Sequence, residues 1–276
     1  MTKSASSAIL ADIGATNARF ALLAGDDIGV PTTYAVADYD SPIDAVRAFL
    51  AGPAADHKPD RALFAAAGPV VNGRVTMTNA AWTVDAKRIR QRLGLKDVRV
   101  LNDFEALGWA LPALQSEDLF RVGDGTPLER GTMAVMGPGT GFGLSAIAFG
   151  ADSETMLVTE GGHATLPSEN RREDAIILAL REQVHHVSVE RVLSGPGLVQ
   201  LYHAIAMVDG LTVPERTSKD IVSHALAGDC QASRQTLDLF CAFLGSVAGN
   251  VALTLGARGG LFIGGGVTPH FTDFLQ

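Results

Sequence analysis

The first residues that could do chemistry stand where an apolar run meets a glycine turn. Asp12 lies near the end of the apolar run Ala8–Ile13, and Gly14-Ala15-Thr16-Asn17 follows. Glycine lets backbone approach a phosphate closely, Thr16 and Asn17 add donors, and a carboxylate can hold Mg²⁺ directly or through water. The pattern predicts a phosphate and magnesium site, and an ordinary β-hairpin with polar turn residues explains it equally well. Its candidate residues are Asp12, Ile13, Gly14, Ala15, Thr16 and Asn17.

A second glycine turn, Gly137–Gly141, stands between the apolar segments Thr132–Met136 and Phe142–Phe149. Its N–H groups could donate to the β- and γ-phosphates of a nucleotide. Glycine hairpins are common, but two such turns are more specific than one. Neither is a Walker A loop, and the strand–turn–strand pattern does not fit the dinucleotide fingerprint, which needs a strand, a turn and a helix. The candidate phosphate ligands here are Gly139, Thr140 and Gly141.

A third candidate is the pair Asn102-Asp103, which follows the apolar run Val98–Leu101 and begins a helical pattern. Open α/β sheets bind ligands at this edge. A kinase that acts on an alcohol needs a carboxylate to orient the hydroxyl and accept its proton, so Asp103 is a candidate base. Asn102 would hold a neighbouring hydroxyl. Asn and Asp also cap helices routinely, and spacing alone favours the cap.

Two further carboxylates stand beside glycine-rich segments. Glu160-Gly161-Gly162-His163 places a carboxylate and an imidazole on one loop, which suits a fan of sugar hydroxyls. A metal site is the alternative, although no second His or Cys cluster with zinc spacing is nearby. His185-His186 are interpreted as surface residues at a helix end. Glu190 precedes the corner Ser194-Gly195-Pro196-Gly197, and a surface helix end followed by a turn also explains that pattern.

The composition narrows the class of protein. The chain has 276 residues and a formal net charge of −8, which argues against non-specific nucleic-acid binding. Cys230 and Cys241 are eleven residues apart on one predicted helix. That is a rise of about 16 Å, too long for a disulfide, so reduced core cysteines are expected. No signal peptide is evident and no apolar run approaches the roughly 20 residues of a membrane span, so we expect a soluble cytoplasmic protein.

Apolar periodicity predicts strands mixed with helices, and therefore an α/β fold. Strands are predicted at Ala8–Ile13, Ala18–Leu23, Thr33–Val36, Arg61–Ala67, Arg74–Met77, Val98–Leu101, Thr132–Met136, Phe142–Phe149 and Gly259–Ile263. Helices are predicted at Pro42–Leu50, with Ser41 as N-cap, and at Val84–Leu93, Asp103–Leu111, Arg172–Gln183, Gly195–Val208, Ser218–Ala227 and Cys230–Leu255. The two strand–turn–strand patterns favour two related halves, with unrelated hairpins as the alternative. We predict domains at residues 1–112 and 113–276.

Seven motifs follow one another along the chain: Asp12–Ala21, Thr78–Trp82, Leu101–Phe104, Gly137–Gly141, Glu160–His163, Glu190–Leu198 and Phe262–Val267. Their order resembles the bacterial glucokinase family of the hexokinase–actin–Hsp70 superfamily. The resemblance covers nearly the whole chain, and the ordered set is specific where each single motif is not. It implies a two-domain ribonuclease-H-like/actin-like ATPase fold with an interdomain cleft.

The resemblance also implies an activity, in which ATP and Mg²⁺ serve to phosphorylate D-glucose to glucose 6-phosphate. Asp103 would be the base on the 6-hydroxyl, and Asp12 would hold Mg²⁺ directly or through water. The ligands would be glucose and ATP, with no nucleic acid and no membrane; a homodimer is compatible with this interpretation. The remaining sugar hydroxyls would be held by Asn102, Glu160, His163 and Glu190, the phosphates by the first two glycine turns, and the adenosine by Gly264, Gly265 and Gly266.

The sequence departs from the family in three places. Ala15 stands where the family usually has a second glycine. Its methyl group is compatible with the turn if φ is negative, and the alternative is that it crowds the phosphate. Pro138 stands in the second turn and removes one backbone donor. The chain ends at Gln276, several tens of residues before the family does, so a truncated chain is expected. The stretch between His163 and Cys230 has no cysteine, which places the chain outside the zinc-containing ROK branch.

Two other functions stay open at this stage. A sugar-sensing regulator without catalysis would explain Ala15, Pro138 and the early end of the chain. Only about seven residues precede the first strand, which leaves no room there for a helix-turn-helix. A kinase of another hexose is the second alternative, and the loop at Glu160–His163 would decide it.

Overall fold

The computed structural model describes residues 7–77 and 81–275, which form two compact units, Met1–Ala106 and Leu107–Gln276. Both units are α/β. Thr78, Asn79 and Ala80, from the second motif of the resemblance, lie outside the described residues.

The first unit is built on a mixed sheet. Its strands are β1 (Ser7–Ile13), β2 (Asn17–Ala24), β3 (Asp27–Ile28), β4 (Thr32–Ala35), β5 (Arg61–Ala66), β6 (Arg74–Thr76), β7 (Thr83–Asp85) and β8 (Asp97–Asn102). The sheet order is β3-β2-β1-β5-β8, with β4 paired to β2, while β6 and β7 form a separate ribbon. β1 pairs antiparallel with β2, and β1, β5 and β8 run parallel. The predicted first hairpin is thus confirmed.

Three helices begin in this unit: α1 (Pro42–Ala51), α2 (Ala86–Leu93) and α3 (Asp103–Ala110). Ser41 caps α1 as predicted, because its side chain accepts the N–H of Asp44. The core joins alternate strand residues to one face of α1 and of α2. It contains Ile9, Ile13, Phe20, Val46, Phe49, Phe64, Trp82, Ile89 and Val100, all of them buried.

The prediction of a helix from Val84 is wrong in its first two residues. Val84 lies in β7, where it pairs with Val75 and is buried. The helix begins only at Ala86, because Asp85 is its N-cap and accepts the N–H of Arg88 at 2.9 Å. The helical spacing of apolar residues therefore continues back to Val84, although that residue belongs to a strand, which its pairing with Val75 stabilises.

The second unit places helices against a four-stranded sheet. Its strands are β9 (Met133–Pro138), β10 (Phe142–Phe149), β11 (Glu154–Thr159) and β12 (Gly260–Ile263), in the order β11-β10-β9-β12. β12 pairs parallel with β9, and the other pairs are antiparallel. The helices are α4 (Arg171–Arg181), α5 (Val189–Val192), α6 (Gly195–Asp209), α7 (Ser218–Ala227) and α8 (Gln231–Leu255). The second predicted hairpin is confirmed, whereas β11 and α5 were not predicted.

The long helix α8 contradicts one expectation from sequence. With 25 residues and a mean hydropathy of 1.5 it is long and apolar enough to cross a membrane, by length and composition only. Its apolar face, which includes Leu237, Phe240 and Leu244, is buried in the core of the second unit, to which α4, α6 and α7 also contribute. Packing against these helices accounts for the apolar residues up to Val247, whereas Leu253 near the end of α8 is 84% exposed.

Candidate functional site

The first unit gathers candidate residues at one edge of its sheet. Because β1, β5 and β8 are parallel, their carboxyl ends meet there, with Asp12 opposite Ala65 and Ala66 opposite Asn102. One strand, β5, separates the ends of β1 and β8, a spacing of about 10 Å. Asp12, Asn102 and Asp103 therefore share the edge at which open α/β sheets bind ligands.

Asn102 caps helix α3. Its Oδ1 accepts the N–H of Phe104 at 2.9 Å and that of Glu105 at 3.3 Å, while its Nδ2 donates to the carbonyl of Gly68 at 3.1 Å. The capping role that spacing favoured is thus confirmed for Asn102. A hydrogen bond from the side chain of Asn102 also acts on the carboxylate of Asp103, so the two candidate residues are coupled.

Asp103 is half-buried, and its Oδ1 accepts the N–H of Phe104 at 3.0 Å. Burial raises the pKa of its carboxyl, and the negative charge of Asp12 adds to this, while hydrogen bonds from the backbone and from Asn102 oppose it. A raised pKa makes a carboxylate a better proton acceptor at neutral pH. The environment of Asp103 therefore suits a general base.

The first glycine turn closes on itself through one hydrogen bond, from the N–H of Gly14 to the carbonyl of Asn17 at 2.9 Å. In the described residues, positive φ outside glycine occurs only at Asn72 and Arg130. Ala15 therefore has a negative φ, as the sequence analysis required, and its methyl group is compatible with the turn. Thr16 and Asn17 are exposed at the tip.

Asp12 pairs with Arg19 across the first hairpin, with Oδ2 and Nη1 2.9 Å apart and both side chains about half exposed. Within residues 7–77 and 81–275 no group of three or more His, Cys, Asp or Glu side chains could enclose a metal. Mg²⁺ usually keeps several waters and binds one or two carboxylates together with substrate phosphates. A single accessible carboxylate at Asp12 fits a magnesium ion of that kind.

The second glycine turn is joined to a helix end. The N–H of Gly139 donates to the carbonyl of Gly141 at 2.8 Å, and the N–H of Gly195, at the start of α6, donates to the carbonyl of Gly139 at 2.9 Å. Pro138 lies in β9 opposite Phe142 rather than in the turn itself. The tip residues Thr140 and Gly141 therefore keep their N–H groups as available donors.

Glu190 is bound to the same turn. Its Oε2 accepts the N–H of Phe142 at 2.9 Å, and a Cβ atom on Gly141 would overlap that carboxylate. Ser194 fixes the far side of this segment, because its Oγ donates to the carbonyl of Glu190 at 2.8 Å and accepts the N–H of Gly197 at 3.0 Å. Glu190 therefore connects helix α5 to the hairpin, which its position in the sequence did not indicate.

Glu160 and His163 lie side by side on a 3₁₀ turn that packs on β10. The two intervening glycines allow close packing, since a Cβ atom on Gly161 would overlap the side chain of Leu144, and one on Gly162 the carbonyl of Phe142. Glu160 Oε2 and His163 Nε2 are 3.9 Å apart, and both side chains are mostly exposed. The loop therefore presents one carboxylate and one imidazole together.

Three of the predicted residues line one cavity of about 670 Å³ within the second unit: Thr140, His163 and Glu190. Its volume lies in the range of small-molecule sites. His185 and His186 also line it, and His186 Nε2 lies 3.1 Å from Thr165 Oγ1. Both side chains are exposed, which confirms their interpretation as surface residues, but they follow the end of α4 at Arg181, so their placement on a helix end is wrong. No local signal marks them, because chain segments far apart in sequence form this cavity.

The third glycine turn, Gly264-Gly265-Gly266, lies against the end of β9. The N–H of Gly264 donates to the carbonyl of Met136 at 2.8 Å. Gly265 has a φ of +85°, and a Cβ atom there would overlap the carbonyl of Pro138. Gly266 faces open space. The positive φ and the close packing explain why glycine is needed at position 265. The turn leaves the space beside Gly266 open to a ligand.

Comparison with known proteins agrees with this geometry. The family model for glucokinase matches residues 9–276. The chain is 43% identical to the glucokinase of Paramagnetospirillum magneticum over 267 residues, 96% of this chain and 83% of that protein. It is 40% identical to the glucokinase of Caulobacter sp. strain K31, covering 97% of this chain and 82% of that one. The crystal structure of glucokinase from an Antarctic psychrotroph superimposes with a TM-score of 0.89 at 39% identity, covering 98% and 86% of the two chains. The chain therefore belongs to the glucokinase family.

Proposed function

We propose that this chain catalyses the transfer of the γ-phosphoryl group of ATP to the 6-hydroxyl of D-glucose, giving ADP and glucose 6-phosphate. The family match over residues 9–276 carries this assignment. The relatives at 38–43% identity over nearly the full chain are all glucokinases, which supports the same reaction.

In this mechanism Asp103 is the general base. Its carboxylate accepts the proton of the 6-hydroxyl while the hydroxyl oxygen attacks the γ-phosphorus, and ADP leaves. The raised pKa of Asp103 supports the role, because a stronger base takes the proton more readily. The bond from the N–H of Phe104 to Oδ1 helps to hold the carboxylate in one orientation.

The remaining sugar hydroxyls are assigned to Asn102, Glu160, His163 and Glu190. Glu160 and His163 are mostly exposed, and Glu190 uses only Oε2 for the N–H of Phe142, so these three can contact hydroxyls directly. Asn102 already interacts with the carbonyl of Gly68 and with the carboxylate of Asp103, and it would share an N–H with the sugar. A set of carboxylate, imidazole and amide groups can contact several hydroxyls at once, which is what discriminates one hexose from another.

The nucleotide is assigned to the three glycine turns. Backbone N–H groups of Gly14–Asn17 and Gly139–Gly141 would hold phosphates, and the open Gly266 with Gly264 and Gly265 would lie against adenosine. Asp12 is the carboxylate that would hold Mg²⁺, directly or through water. The ion neutralises charge that develops on the phosphate oxygens.

The finer architecture belongs to the same proposal. We infer the ribonuclease-H-like/actin-like two-domain fold, with the domains at residues 1–112 and 113–276. The two compact units and the repeated hairpins are compatible with it. A cytoplasmic location and a homodimer are also proposed, with glucose and ATP as the ligands.

The test is a coupled assay for glucose 6-phosphate with Asp103→Asn. Turnover should fall by about 100-fold or more, the usual contribution of a general base, while glucose binding measured by calorimetry is largely kept. Asp97→Asn, at the exposed start of strand β8, which ends just before Asp103, is the matched control and should leave turnover unchanged. Near-normal turnover of Asp103→Asn would remove Asp103 from the role of base.

A further inference from the structure

Two chain segments that carry sugar-assigned residues are paired beside the cavity of the second unit. Residues 164–166 and 187–189 run antiparallel, with Thr165 opposite Ser188. Two backbone hydrogen bonds close the pairing, with N···O distances of 2.9 and 3.0 Å. The pairing is anchored in the hydrophobic core by three buried side chains, Leu166, Val187 and Val189. The bridge is therefore a fixed point between the two segments.

The bridge lies two positions from a sugar-assigned residue on each segment. His163 precedes Thr165 by two positions, and Glu190 follows Ser188 by two. Ser188 is also the N-cap of α5, the short helix that carries Glu190, because its side chain accepts the N–H of Arg191. His163 and Glu190 line the same cavity. The geometry at the bridge therefore sets how these two side chains are spaced around the cavity.

His186 adds a side-chain hydrogen bond to this backbone pairing. It lies two positions before Ser188, and across an antiparallel bridge such a residue is the diagonal neighbour of Thr165, on the same face. His186 Nε2 lies 3.1 Å from Thr165 Oγ1, which is hydrogen-bonding distance. A hydroxyl both donates and accepts, so this bond can form whether or not Nε2 carries a proton.

A pairing closed by only two backbone bonds is short, and its outer side is exposed at Thr165 and His186. Segments with few bonds and much exposed backbone open locally at low cost in free energy. A third bond across the bridge reduces this opening. Less ordering free energy is then spent when a ligand contacts both segments, and the ligand binds more tightly.

We propose that His186 is a positioning residue for glucose, which acts through Thr165 to hold the turn Glu160–His163 in place relative to Glu190. This role rests on the proposed function, because it concerns the sugar site of that reaction. His186 lines the cavity, but its bond to Thr165, rather than a contact with the sugar, is what the binding of glucose depends on.

The first test measures the KM for glucose, kcat and calorimetric glucose affinity of His186→Ala. Loss of one hydrogen bond should raise the KM for glucose about 3- to 10-fold. The kcat and the KM for ATP should stay unchanged, because only ground-state binding of the sugar is weakened. His186→Gln, whose amide nitrogen replaces Nε2, should recover most of the affinity. Gln183→Ala, an exposed change in the same connection between α4 and α5, is the matched control and should match wild type.

Changes at Thr165 separate positioning from direct contact between His186 and the sugar. Thr165→Val removes the hydroxyl at nearly constant shape and should raise the KM for glucose as much as His186→Ala does. Thr165→Ser keeps the hydroxyl and should recover most of the affinity. The double variant Thr165→Val/His186→Ala should be no weaker than either single variant, because both remove the same bond. An effect of His186→Ala without one in Thr165→Val, additive effects, or equal affinity in all variants would overturn the proposal.

Calorimetry with glucose alone keeps this test separate from the test of the reaction. If wild type bound glucose without turnover, the proposed phosphoryl transfer would fail, and the affinities of the variants would still decide the role of His186. If wild type bound no glucose, the proposed function and the role of His186 would both be overturned.

Discussion

The two glycine hairpins share one sequence pattern and differ in what surrounds them. The turn between β1 and β2 is closed by its own hydrogen bond from Gly14 to Asn17, and a Cβ atom on Gly14 would lie 3.3 Å from that carbonyl. The turn between β9 and β10 is bound by Glu190 and by the start of α6, and its strand lies against the third glycine turn.

The difference shows that glycine serves different needs in the two hairpins. In the first, the backbone accommodates a methyl group, as Ala15 demonstrates. In the second, Gly137 and Gly141 are needed because other groups occupy the space of a side chain. Glycines in a family motif can therefore be needed for packing in one turn and for ligand access in another. Substituting them one at a time distinguishes these two causes.

The largest expected loss of stability comes from a substitution in β9, the strand that leads into the second turn. In Gly137→Ala the new Cβ atom would overlap the backbone carbonyl of Gly264, which cannot rotate away. We expect the free energy of unfolding in urea to fall by about 3 kcal/mol, the upper range for overpacking. Gly14→Ala is the matched change in the first hairpin, and its cost should stay below about 1 kcal/mol. Equal losses would show that the hairpins are equivalent.

Within the second turn, Gly141→Ala should come next. The methyl group would displace the Glu190 carboxylate and break its bond to the N–H of Phe142, so stability should fall by about 1–3 kcal/mol. Gly139→Ala meets no atom within 4 Å and should change stability by about 0.5 kcal/mol or less. Thermal unfolding of both variants measures the difference. A stable Gly141→Ala would mean that Glu190 finds another partner without cost.

A smaller effect, with a pH dependence, is expected beside the first hairpin. Because the folded-state pKa of Asp103 is raised above 3.8, the stability that it contributes is complete below pH 3.8 and decreases as pH rises through the folded-state value. Asp103→Asn lacks this decrease, so its advantage in free energy of unfolding over wild type should grow above pH 3.8 and then level off. Urea unfolding at pH 4 and 7 measures it. An advantage of Asp103→Asn that shrinks as pH rises would show that the pKa of Asp103 is lowered in the folded state, not raised.

The smallest expected effect is loss of the cross-strand pair in the first hairpin. Arg19→Met removes the partner of Asp12, and both side chains are about half exposed, so water already screens the pair. We expect a change of about 0.5 kcal/mol or less at low salt, and less still at high salt. Asp12→Asn should match it in thermal unfolding. A loss above about 1 kcal/mol would show that this pair does contribute substantially.

Sequence predicted much of the fold because its strongest signals are local. The apolar runs at Ala8–Ile13 and Phe142–Phe149, and the N-cap at Ser41, agree with the structure closely. Sequence failed where a distant partner decides the outcome. Val84 is in a strand because Val75 pairs with it. β11 (Glu154–Thr159) is an edge strand in which no residue is buried and exposure does not alternate clearly.

The site shows the same division. The helix start at Asn102-Asp103 is evident from local pattern, but the raised pKa of Asp103 needs the burial and the neighbouring charge that folding supplies. Glu190 is 48 residues from Phe142, so its hydrogen bond has no trace in the local sequence. His185 and His186 are surface residues as predicted, but sequence did not indicate that they line a cavity, because distant segments form it.

The parallel pairing of β9 with β12 has a consequence for folding during synthesis of the chain. Met133 and Gly260, which are register partners, are 127 positions apart in the chain. At about 5–20 residues per second, a ribosome makes β12 roughly 6–25 s after β9. Through that interval β10 can cover one edge of β9, while the other edge presents unpaired backbone groups to any strand it meets. The nascent second unit is therefore most prone to aggregation between the emergence of its hairpin and the arrival of β12.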